Sequence, residues 1–165
     1  MITIEESGMK FGSYTEEDVF CIEKSEVFLK LQHLKTVEFI VLSNNKEIWL
    51  VEAKTSSPNP GNHIDFSEYM SEIEQKFDNS LCLFLAILLQ RYPNNELSEK
   101  LKHINLTNIQ FKFIFVVKNH KTEWLMPLKD SLQQKMTPLT VSLNLGPNCL
   151  VVLNENIAKH KGIIV

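Results

Sequence analysis

The sequence predicts a single α/β domain in three layers, with a central mixed β-sheet flanked by helices. Three observations predict it. The chain has 165 residues, enough for one sizeable core and too few for two ordinary domains. Short runs rich in β-branched and aromatic residues alternate with stretches of helical periodicity. Most of those runs are apolar along their whole length, so they need cover on both faces of the sheet.

In chain order, residues 1–12 contain Gly8 and Gly12 with little periodicity, and are expected to be an edge segment or arm of the one domain spanning 1–165. Asp18 to Ile22 reads as a short strand. Ser25 to Leu34 carries Val27, Phe28, Leu31 and Leu34 at the spacing of one helical face. The runs Val37–Leu42 and Ile48–Ala53, separated by Ser43-Asn44-Asn45-Lys46, form the clearest hairpin in the chain. Thr55 to Asn62 holds Pro58, Pro60 and Gly61 and predicts a loop. Asp65 and Glu68 then make a capping-box pattern before a long helix from about Phe66 to Arg91, stopped ahead of Pro93. Phe111 to Val117 is a buried strand, and Thr122 to Met136 a helix with Pro127 in its first turn and Pro138 breaking or kinking it. Cys149 to Leu153 is the last strand, followed by a short helix capped by Asn154 and ended by Gly162.

Composition narrows the function classes. With 44% hydrophobic and 22% charged residues, five Gly and six Pro, the chain is neither fibrous nor disordered. Its longest apolar run, Leu81 to Leu89, is far shorter than the ~20 residues that span a bilayer, and no signal peptide is evident. Cys21, Cys82 and Cys149 sit singly in apolar segments, as buried free thiols do, so a cytoplasmic location is expected. The five histidines have no metal-binding spacing, and no nucleophile elbow or phosphate-cradling loop occurs. A net charge of −3 confines any contact with phosphates to a local patch.

The anomaly is charge inside apolar strands. Glu38 lies between Val37 and Phe39, and Glu52 between Val51 and Ala53, although an unpaired buried carboxylate is costly. Side chains alternate across a strand, so Glu52 and Lys54 share a face. Whether Glu38 joins them depends on the hairpin loop. A two-residue turn at Asn44-Asn45 opposes Glu38 to Val51 and sends the two acids to opposite faces. A three-residue loop, Asn44 to Lys46, opposes Glu38 to Glu52, and a bulge also restores that parity. Two carboxylates against one lysine leave negative charge for a cation to satisfy; a structural ion cluster is the competing account.

An acid in one strand, a hairpin, then Glu52-Ala53-Lys54 at the end of the next strand, followed by a helix and a buried strand, resembles the PD-(D/E)XK nuclease superfamily, with Glu38 where Asp is usual and Val37 where Pro is usual. The resemblance implies a restriction-endonuclease-like fold. It also implies that Glu38 and Glu52 bind magnesium or manganese while Lys54 orients the attacking water. Glu23 and Glu26 are both candidates for the further acid such proteins carry on an early helix. Magnesium suits these donors independently, since it takes oxygen ligands and uses one or two carboxylates beside a phosphate.

The neighbouring loop supplies Thr55, Ser56 and Asn59 as candidate phosphate contacts, and His120 follows the Phe111–Val117 strand where it can flank a site at the strand ends. A second acid-x-Lys triplet, Glu74-Gln75-Lys76, falls in the amphipathic half of the long helix and is expected to be a solvated charged face. Together these readings predict a metal-dependent nuclease-like phosphodiesterase acting on nucleic acid. The alternative is a catalytically inactive binding or adaptor module of a larger complex, and a protein partner or a homo-oligomer is compatible with either.

Overall fold

The computed structural model describes residues 1–165. Strands β1 (Ile2–Glu6) and β2 (Met9–Tyr14) form a separate antiparallel hairpin. The main sheet contains β3 (Val19–Phe20), β4 (Phe39–Ser43), β5 (Glu47–Lys54), β6 (Gln110–Val117) and β7 (Leu150–Asn154), in that spatial order. The first three form an antiparallel meander, and β6 and β7 add parallel to β5. The helices are α1 (Glu26–Lys30), α2 (His63–Leu88), α3 (Glu99–Lys102), α4 (Leu125–Ser142) and α5 (Glu155–His160). The mixed sheet with helices agrees with the predicted α/β domain.

One sheet face carries the larger core, where Ile40, Leu42, Ile48, Leu50, Phe113 and Phe115 meet Ile73, Phe77, Phe84 of α2 and Leu128, Leu132, Met136 of α4. Phe77 meets Phe113 edge to face, with ring centroids 5.4 Å apart. The opposite face packs Phe39, Val41, Val51 and Val116 against Ile4, Met9 and Phe11 of the amino-terminal hairpin and Ala158 of α5. That second layer is therefore mainly a β-hairpin. Residues 1–12 are not an arm: Ile2 and Ile4 alternate with polar residues, and Ser7 and Gly8 close a two-residue turn with φ of 52° and 68°, the mirror-image turn that matches strand twist.

Several boundaries differ from expectation: β4 starts at Phe39, which leaves Glu38 just before the strand, α1 ends at Lys30, and α4 starts at Leu125 after a 3-10 turn over Thr122–Trp124. Helix α2 starts at His63, with Asn62 at its cap and its side-chain amide bonded to the Asp65 carboxylate, so Asp65 lies inside the first turn. It ends at Leu88, where Gln90 at φ 57° lets the Arg91 N–H bond to Ala86 O. Pro138 does not stop α4, which continues to Ser142 with partly buried Leu139 still on the core. The helix α3, capped by the Ser98 hydroxyl accepting from the Leu101 N–H, was not anticipated. At the other end of the chain, Asn154 caps α5 by accepting from the Ile157 N–H, and Gly162 at φ 70° follows it.

Candidate functional site

The hairpin register fixes the site. Phe39 pairs with Val51 and Ser43 with Glu47, while the Lys46 N–H donates to Ser43 O at 3.0 Å, so Asn44-Asn45 form a two-residue turn and Lys46 is a bulged extra residue that restores the parity. The ladder ends at Phe39; Glu38 precedes it, its N–H donating to Val51 O, and its side chain reaches the same lysine as Glu52. Asn44 and Asn45 carry the left-handed backbone, at φ 51° and 55°, while Lys46 does not. The strain thus falls on the residue type that tolerates it, and Lys46 is left as the extra residue, its carbonyl accepting from the Gln110 N–H of β6.

Glu38 and Glu52 both extend toward α2, and a cation lies within reach of both. It is the ammonium of Lys76. Its Nζ is 2.8 Å from Glu52 Oε1 and 3.8 Å from Glu38 Oε1. Lys54 Nζ is 3.2 Å from the same Glu52 Oε1. The Glu52 side chain is 0% exposed, Lys76 11%, Glu38 12% and Lys54 27%, so Lys54 stands at the mouth of the cluster and Glu52 at its base. Both lysines address Oε1. Glu52 Oε2 is buried with no hydrogen-bond partner in the protein.

Of the two early acids, Glu23 lies near enough to Glu38 to raise its pKa. Glu26 is exposed; its N–H donates to the Glu96 carboxylate and its side chain lies 3.9 Å from Lys30. Burial, together with the acidic neighbours Glu23 and Glu52, pushes the Glu38 carboxyl up to about 8, so near neutral pH Glu38 holds a proton. Burial also raises the Glu52 carboxyl, against the opposing pull of Lys76 and Lys54. On the Lys76 ammonium the two carboxylates outweigh desolvation and raise its pKa, so it stays charged.

Lys76 corrects the sequence reading of Glu74-Gln75-Lys76 as a solvated face. It lies on the stripe Tyr69, Ile73, Lys76, Ser80, Leu83 and Ile87, whose alternating steps of four and three trace one side of a helix. A lysine in that register was the available signal. The same stripe places the hairpin, since the buried Ser80 hydroxyl accepts from the Val37 N–H at 2.8 Å, and nearby Asn79 donates to Lys35 O at 3.0 Å. Helix α2 therefore holds the strand entry carrying Glu38 and supplies the cation facing it.

The remaining candidates lie around the carboxyl ends of β5 and β6. Thr55 is exposed and its carbonyl accepts from the Asn119 N–H, while Ser56 O accepts from the Tyr69 hydroxyl. The Asn59 side-chain oxygen is used within its own loop, accepting from the Gly61 N–H. His120 is buried, with its ring edge on Trp124, centroids 5.6 Å apart, and burial lowers its pKa. A broad groove runs elsewhere, along the polar side of α2, where Glu68, Glu72, Glu74 and Asp78 outnumber Lys35. Its charge repels an anionic strand. No helix is long and apolar enough to cross a membrane.

No family model matches the chain, and neither a curated protein nor a solved structure matches it significantly.

Proposed function

We propose that the chain is a metal-dependent nuclease-like protein of restriction-endonuclease-like fold that hydrolyses phosphodiester bonds of nucleic acid in the cytoplasm. The observation that carries this reading is the convergence of Glu38 and Glu52 on one cation position, 3.8 and 2.8 Å from the same Lys76 Nζ. The element order supports it too: an antiparallel meander ending in Glu52-Ala53-Lys54, a long helix, then a parallel buried strand. No three His, Cys, Asp or Glu side chains group into a cage. Magnesium or manganese beside a phosphate needs only one or two carboxylates, and the orphaned Glu52 Oε2 is a donor of the right kind.

Glu38 and Glu52 would hold the ion, which supplies charge stabilisation at the phosphoryl oxygens and a more acidic water. Lys54, the most exposed of the four charged groups that meet at Glu52, faces the approaching phosphate and orients the water. Thr55 follows it on the exposed loop as a backbone contact.

One observation favours the second reading, an inactive binding or adaptor module. Two ammonium groups of the protein already face these acids: Lys76 lies 2.8 Å from Glu52 and 3.8 Å from Glu38, and Lys54 3.2 Å from Glu52. Cleavage of single-stranded and duplex DNA and RNA with magnesium or manganese, in the native protein and in Glu52→Gln and Lys54→Ala, separates the readings. The nuclease reading expects metal-dependent cleavage lost in both variants. Activity that survives both rejects this centre, and no cleavage of any substrate selects the module.

A further inference from the structure

We infer that Lys76 is the resident counter-cation of the centre, occupying the place between Glu38 and Glu52 that a divalent ion takes and leaving it when the ion binds. The inference rests on the proposed metal reading and extends it to a residue on α2. Its basis is geometric. Lys76 Nζ is the cation that reaches both acids, and it approaches Glu52 more closely than Lys54 does, 2.8 against 3.2 Å.

A divalent ion held by the Glu38 and Glu52 carboxyls, whichever Glu52 oxygen it takes, lies beside the Lys76 ammonium, and like charges repel at such range. Lysine suits an exchangeable role. Its charge sits on a flexible four-carbon stem without the fixed fork of arginine, so it can withdraw while the backbone of α2 stays packed. The backbone there is anchored independently, by Ile73 and Phe77 in the core and by Ser80 on Val37. Lys54, partly exposed at the mouth, keeps its place beside the incoming phosphate. Lys76 is thus a positioning residue: it holds the acids together without metal and sets the affinity with which metal enters.

Two measurements test this. Manganese affinity, followed by the loss of the free-ion paramagnetic resonance signal, is compared among native protein, Lys76→Met and Glu52→Gln. Removing the competitor is expected to tighten binding by about tenfold or more in Lys76→Met, equivalent to about 1.4 kcal/mol, while Glu52→Gln loses the ion. In the unaltered protein, brief reductive methylation read by mass spectrometry is expected to modify Lys76 severalfold faster once manganese is added. This arm does not depend on whether Lys76→Met folds. Native affinity in Lys76→Met with binding still lost in Glu52→Gln overturns the inference and leaves the metal reading standing, as does unchanged Lys76 methylation in manganese-loaded protein. Absence of bound manganese in native protein and Lys76→Met alike overturns both.

Discussion

Replacing Lys76 by Met takes the nearest cation away from a carboxylate whose side chain is fully buried. Removing one partner of a buried ion pair costs about 3–5 kcal/mol because the remaining charge is left without compensation. Here Lys54 still stands 3.2 Å from Glu52 Oε1, but it is partly exposed and its field is weakened by solvent, which points to the lower end, about 3 kcal/mol. For a chain of this size that corresponds to a fall of roughly 6–12 °C in melting temperature. The penalty depends on pH with a definite sign. Without Lys76 the folded-state pKa of Glu52 lies further above its unfolded value, so the protonated form protects the fold at low pH. That protection is lost as pH rises through the folded pKa, and the deficit of Lys76→Met grows from acid toward alkaline conditions. The pair Lys76→Met with Glu52→Gln removes both charges at similar volume and restores most of the stability, a coupling of about 2 kcal/mol. The assay is urea unfolding of the four members of the cycle at two pH values. Additive losses, or a Lys76→Met protein as stable as the native one, refute the buried-pair reasoning.

Other perturbations reach different parts of the account. Glu38 has a folded pKa raised from 4.5 to about 8, so the folded state keeps a proton that the unfolded chain has released; stability contributed by that proton is complete below 4.5 and declines as pH rises toward 8. Glu38→Gln should flatten this part of the stability–pH curve, and an unchanged slope assigns it to other groups. Ser80→Ala orphans the buried Val37 N–H and is expected to cost about 1–3 kcal/mol in chemical denaturation. A loss near zero means the strand entry to Glu38 is not held by that bond. Asn45→Val forces a β-branched residue to φ 55° and should destabilise by about 1–2 kcal/mol, whereas unaltered stability contradicts the left-handed turn that closes the hairpin.

How far the site was legible in sequence can be argued from single residues. Glu52 and Lys54 share a face by strand alternation alone, so their proximity followed from spacing. Glu38 did not, because loop parity turns on which residues take left-handed backbone. Asn44 and Asn45 form the two-residue turn their residue types favour, but the bulge at Lys46, whose carbonyl bonds to β6, has no local sequence signal. Lys76 was misread for another reason. Its neighbours Glu74 and Gln75 are polar, and local composition concealed a register that continues through Ile73 and Ser80 into the core. The amino-terminal hairpin was hidden by Gly8 and Gly12, although the Ser7-Gly8 dipeptide and the alternation of Ile2 with Ile4 were turn and strand signals in their own right. Pro138 failed as a helix breaker because Leu139 still finds the core one turn beyond Met136.

The central claim is that Glu38 and Glu52 face one cation position that a divalent ion can take. A crystal of the native protein soaked in manganese and measured for anomalous scattering tests it most directly. The account predicts a peak in contact with both carboxyl groups and the Lys76 ammonium withdrawn from Glu52. Lys76 still seated between the two acids at saturating manganese, with no peak beside them, would contradict it.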